Sequence, residues 1–146
     1  MNDPRLKGYL IRSLNSEMAA VQQYLTQASL AGMWQLEKYS SRFRHDAQEE
    51  LGHAQRLIEQ MLIMGIVSNG THLPPTRPGR SVEEMLLIDR ELEIEVIRLY
   101  EEAAHYCARL REQELQALFS SLLQDELDHL GDLDRLLAEL DQGTMP

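Results

Sequence analysis

The 146-residue chain has a single cysteine, Cys107. One thiol excludes an internal disulfide, and without a cysteine cluster there is no zinc ribbon, rubredoxin-like knuckle or iron-sulfur site. Such sparing use points to a reducing compartment. Long apolar runs are also missing. No stretch reaches the roughly 18 residues that a membrane span needs, and the N-terminal MNDPRLKGYLIRSL has no apolar core. The expectation is a soluble cytoplasmic protein with no membrane partner. Basic residues are scarce as well: 14 Lys and Arg stand against 24 Asp and Glu, a net charge of −10. No basic patch can offset that field, which argues against nucleic acid and favours cations as partners.

Proline is absent from two long stretches. Pro4 lies near the start, Pro74, Pro75 and Pro78 cluster centrally, and Pro146 is last. The stretches between are rich in helix formers, so residues 1–146 are expected to form one all-α domain. Asp3 before Pro4 is a good N-cap and first-turn pair, opening a helix over about 4–32, with Gly32 as the stop. A second helix covers about 35–64, where Gly65 supplies the C-terminal signal. Ser81-Val-Glu-Glu84 is a capping box opening a third helix over about 81–108, and a fourth follows over about 112–141. Residues 65–80 form a long crossover. Two short connections flanking a long one give antiparallel hairpins in the ferritin-like arrangement of a four-helix bundle, with no clear fifth helix. Helices of about 28 residues run roughly 42 Å.

Acids occupy positions where the apolar stripes should continue. In the first helix Leu10, Leu14, Val21, Tyr24 and Ala28 mark a seam whose missing member is Glu17. The second seam reads Phe43, Ala47, Glu50, Ala54, Leu57, Met61, Met64. The third gives Glu93, Ile97, Tyr100, Ala104, and the fourth Phe119, Leu123, Glu126, Leu130, Leu133, Leu137, Leu140. Each helix therefore brings one carboxylate to the interior. Two like charges about 4 Å apart repel by about 4 kcal/mol even at an effective dielectric of roughly 20, before desolvation. Something positive must be bound among them.

Histidine completes the pattern. His53 and His129 follow Glu50 and Glu126 by three residues, which sets each pair on one helix face. A lone Glu-x-x-His is weak, since surface pairs of this kind are common. Two copies are not: Glu126 follows Glu50, His129 follows His53 and Glu93 follows Glu17 by the same 76 residues. Tyr24 and Tyr100, Ala28 and Ala104, Phe43 and Phe119, and Leu57 and Leu133 match at that offset too. The second hairpin repeats the first. Four Glu and two neutral His suit two divalent iron or manganese ions, with Glu50 and Glu126 expected as the bridges. Glu49 and Asp125, each four residues before a histidine, are expected to orient those imidazoles. Tyr24 joins the six ligands in the expected catalytic set, since it and Tyr100 fall two turns beyond Glu17 and Glu93 and can hydrogen-bond a ligand or pass an electron. His45 with Glu49 forms a possible accessory metal pair. His72, His105 and Cys107 are assigned no chemistry.

The segments SEMAAVQQYL, EELGHAQRLIEQ, SVEEMLLIDRELE and QDELDHL resemble the di-iron segments of the bacterioferritins, over about residues 6–141. The resemblance implies a ferroxidase that oxidises Fe(II) with O2 or H2O2 for storage or detoxification. It also matches His45 and Glu49 to an accessory iron position of some members. Three departures qualify it. That family ligates haem between subunits through a Met directly after the second-helix Glu; here Leu51 stands there, so haem is not expected. The family's fifth helix has no counterpart in DQGTMP, which leaves open a dimer or a 24-subunit homo-oligomeric cage. Leu57 and Asp132 stand where aromatic residues are common, so electron delivery is expected to differ. Two other readings stay open. One is a small rubrerythrin-like oxidase or peroxidase acting as a dimer. The other is a haem-free subunit that co-assembles with another bacterioferritin.

Overall fold

The computed structural model describes residues 3–68 and 72–143. Four helices follow in order: α1 (Pro4–Met33), α2 (Glu37–Ile63), α3 (Val82–Arg109) and α4 (Gln113–Asp141). Each bound lies within two residues of the sequence reading. Asp3 caps α1 by accepting hydrogen bonds from the Arg5 and Leu6 amides at 2.8 and 3.1 Å, with Pro4 at the first helical position. Ser81 caps α3 by accepting from the Glu84 amide at 3.1 Å. No helix of the described residues is long and apolar enough to cross a membrane. Thr144, Met145 and Pro146, on which the fifth-helix expectation rested, lie outside the described residues.

The two short turns are built alike. Gln35 takes φ 62° and Arg111 φ 60°, left-handed values at residues 76 apart. In the first turn the Leu36 amide donates to Ala31 carbonyl at 2.8 Å; in the second, Glu112 donates to Cys107 at 2.9 Å. Both are six-to-one closures of the Schellman type. The repeat thus extends into backbone conformation, and the turn residue is not the glycine the sequence suggested. Gly32 lies inside α1, where an added Cβ would stand 3.3 Å from the Ser40 hydroxyl, so its smallness serves the close approach of α2. Gly65 does take φ 76°, as a stop after α2 should.

Helix α1 packs along α2, and α3 along α4; α1 also meets α3. The crossover is fastened to α1 by two glutamines. Gln23 exchanges hydrogen bonds with the Arg77 backbone, and Gln27 donates to the Pro78 carbonyl and to Asp89. The apolar core divides in two. One part contains Leu6, Leu10, Leu57, Met61, Tyr100 and Phe119; the other contains Tyr39, Phe43, Met85, Leu86 and Leu133. Between them lies a layer of acids and histidines. The buried face of α4 runs Leu115, Phe119, Leu122, Glu126, His129, Leu133, so Leu123 and Leu130 of the expected seam are only half-buried. Val21 likewise yields to Gln23 and Gln27, buried because the crossover covers them.

Candidate metal centre

The six residues singled out converge in the middle of the bundle. Glu17, Glu50, Glu93, Glu126, His53 and His129 are each no more than 5% exposed. Ligand atoms of Glu17, Glu50, His53 and Glu126 lie within 4.8 Å of one another, and so do those of Glu50, Glu93, Glu126 and His129. Glu50 and Glu126 belong to both groups. Four helices supply these atoms because the three-residue Glu-to-His spacing on α2 and α4 puts both side chains on the inward face.

Each imidazole turns Nδ1 inward and Nε2 outward. His53 Nδ1 is 2.9 Å from Glu126 and 3.1 Å from Glu17, and its Nε2 is 3.0 Å from Asp125. His129 Nδ1 is 3.1 Å from Glu93, and its Nε2 is 3.1 Å from Asp46. Support therefore crosses between helices. Asp125 of α4 faces the histidine of α2, not its own neighbour, and Glu49 faces His45 at 2.6 Å on the half-exposed outer surface instead of His53. Asp46 was not singled out in the sequence. The available signal was its place one turn before Glu50 on the Phe43–Ala47 face, but its 76-residue counterpart is Leu122, so the repeat could not reveal it. An arginine backs each acid: Arg42 reaches Asp46 at 3.2 Å and Asp132 at 2.6 Å, and Arg56 reaches Asp125 at 3.5 Å.

The tyrosines also cross over. Tyr24 of α1 donates to Glu93 of α3 at 2.6 Å, and Tyr100 of α3 donates to Glu17 of α1 at 2.6 Å. Burial, then the nearby carboxylates, raise both phenols well above their ordinary pKa, so each stays a donor. Tyr24 further packs against His129 with the rings tilted, 5.4 Å between ring centres.

Protons compensate the crowded acids where no metal does. Burial opposes charge on His53 and His129, yet the carboxylates around them prevail and raise them to about 10 and about 11. Burial, then contact with Glu93, pushes Glu126 up to about 9, and burial with Glu17 beside it raises Glu50 strongly. Glu93 is pulled down: the closeness of Glu126 and His129, with the Tyr24 hydrogen bond, more than offsets its desolvation. Even so, Glu17 Oε1, Glu50 Oε2, Glu93 Oε2 and both oxygens of Glu126 are buried without a hydrogen-bond partner. Native interiors rarely leave such atoms bare. Their number, and their mix of oxygen with two imidazole nitrogens, fit a pair of divalent transition ions.

A helical bundle with this interior has the donor set of the carboxylate-rich metal-binding bundles. The family model described as ferritin-like domain matches residues 8–143. Rhodobacter capsulatus bacterioferritin is 31% identical over 96% of this chain and 87% of its own, and a bacterial ferritin of Synechocystis is 33% identical over 95% and 90%. The 2.6 Å structure of the Rhodobacter protein superposes with a TM-score of 0.93, covering 97% of this chain and 89% of that one. That structure has a metal-free dinuclear site and a haem iron in a crystallographic special position. The chain belongs to the ferritin-like domain family, among relatives of the bacterioferritins.

Proposed function

We propose that the protein is a bacterioferritin-like ferroxidase, binding two Fe(II) ions and oxidising them with O2 or H2O2 for iron storage or detoxification in the cytoplasm. The observation that carries this is the sharing of Glu50 and Glu126 between two four-residue ligand groups. Each is suited to bridge two ions, with Glu17 and His53 completing one position and Glu93 and His129 the other. The ferrous ions supply the electrons that the oxidant takes up. The chain does the rest. Nδ1 of each histidine faces the carboxylates and would ligate once its proton leaves, while Asp125 and Asp46 stand beside the opposite nitrogen and favour that tautomer and ring angle. Tyr24 and Tyr100 orient the terminal carboxylates. His53, His129, Glu50 and Glu126 surrender protons as metal binds, so affinity rises with pH. Manganese would satisfy the same donors.

Leu51 is 52% exposed and offers no sulfur where the haem-ligating Met of the family stands, so we read the chain as haem-free. The assembly is a homo-oligomer, either a dimer of roughly 34 kDa or a 24-subunit cage of roughly 400 kDa. Native mass distinguishes them. The chemistry is tested by adding Fe(II) aerobically to the parent and to a Glu50→Ala/Glu126→Ala variant. The variant is expected to lose rapid oxidation, and equal rates would overturn the assignment.

A further inference from the structure

A metal centre this deeply buried needs a way in. Among the described residues, three of the cavities beside the bundle can be compared. One, beside Gln60, Arg111 and Glu114, touches none of the six cluster residues, and neither does a second lined by Ile58, Leu62 and Val67. The third lies between α1, α3 and the crossover, and Glu93 lines it. Of the two carboxylate residues that line it, Glu93 is the buried one, only 2% exposed, and its Oε2 has no hydrogen-bond partner. Toward solvent the cavity is bordered by Glu95 of α3, His72 of the crossover, and Asn15 and Ser16 of α1. Among the described residues no Lys or Arg lines it.

We propose that this cavity is a transit site for a divalent cation, with His72 and Glu95 as its outer ligands and Glu93 as the hand-over to the centre. The inference rests on the metal-binding reading above. Volume supports it. The cavity holds about 210 Å³, and at about 30 Å³ per water that is room for roughly seven waters, close to a cation with its six-water shell. Donor chemistry supports it too, since the outer groups offer an imidazole nitrogen, a carboxylate and neutral oxygens that can replace those waters one at a time. The negative lining raises the local cation concentration. His72 and Glu95 are absent from both tight ligand groups, so the stop is transient and not a storage position. This gives a function to His72, to which the sequence pattern assigned none.

A group that acts only on passage alters the speed in both directions and leaves the equilibrium alone. The test mixes Co(II) with the intact metal-free protein in a stopped-flow instrument, following the visible band of the bound ion, and measures release by chelator chase. In a His72→Ala/Glu95→Gln variant, both rates are expected to fall together by about threefold to tenfold, with stoichiometry kept and Kd within about twofold. Both residues are exposed, so the fold is not at risk. Unchanged rates in a variant that still binds two Co(II) would overturn the transit site alone. Faster release with unchanged binding rate would also overturn it, by making these residues ligands of the final position. A parent that binds no Co(II) would overturn both this inference and the ferroxidase reading.

Discussion

Replacing Glu126 with Gln separates the cost of the acid from its use. In the metal-free chain Glu126 is held near a pKa of about 9, so at pH 7 it is already a neutral carboxylic acid. Gln has the same shape and charge as that form. It also keeps an oxygen in the place that lies 2.9 Å from His53 Nδ1. The metal-free variant should therefore melt within a few degrees of the parent. The metal-bound state is different, because Glu126 belongs to both ligand groups. An ion present at a hundredfold its Kd contributes about 2.7 kcal/mol, so two ions contribute about 5 kcal/mol. For a chain of this size, about 3 °C per kcal/mol makes the metal-induced rise roughly 15 °C. Calorimetry with and without Co(II) or Mn(II) should find most of that rise abolished in Glu126→Gln. A variant that melts far below the parent without metal, yet retains the full metal-induced rise, would show that the acid is a structural element and refute the reasoning.

Other outcomes follow from the same layer. His53, His129, Glu126 and Asp89 have folded pKa values of about 10, 11, 9 and 8, all above their ordinary ones. The folded metal-free state therefore binds more protons than the unfolded one. The histidine contribution is complete below about pH 6.5 and drains away as pH climbs toward 10. The acids begin to lose theirs near pH 4 and finish near 8 to 9. Between pH 6.5 and 8 the metal-free stability should fall by at least one group's share, about 1.4 kcal/mol per pH unit, and the melting temperature with it, while the metal-loaded protein falls less steeply. Asp46→Asn should weaken metal binding about tenfold to a hundredfold in isothermal titration, because Asp46 is 1% exposed beside His129. Asp125→Asn should cost less, since the Asp125 side chain is 44% exposed. Added haemin should leave the parent's spectrum unchanged, whereas a shifted Soret band in Leu51→Met alone would confirm that the thioether is what this chain lacks.

Much of this was written in the period of the apolar pattern. Long helices, one buried glutamate on each, and a 76-residue repeat fix the bundle and bring six side chains to one level. What escaped the pattern was contact between helices. Asp125 and Asp46 support the histidines of opposite helices, a matter of how α2 and α4 lie against each other, which spacing along one chain does not encode. Asp46 breaks the repeat, so symmetry pointed away from it. Two positions of the expected α4 seam, Leu123 and Leu130, fall one residue, roughly a quarter turn, from the buried Leu122 and His129, because Leu122 and Leu123 are equally apolar and a buried histidine does not look like core. Gln23 and Gln27 look like surface residues until the crossover is laid over them.

The division of the apolar core by its charged belt has a mechanical consequence. Among the described residues the two apolar halves form separate clusters, so on the metal-binding reading stripping the ions would loosen a crosspiece shared by all four rods. An iron-starved chain should then breathe at one end while the opposite end holds, and loading would make the whole length respond as a single body.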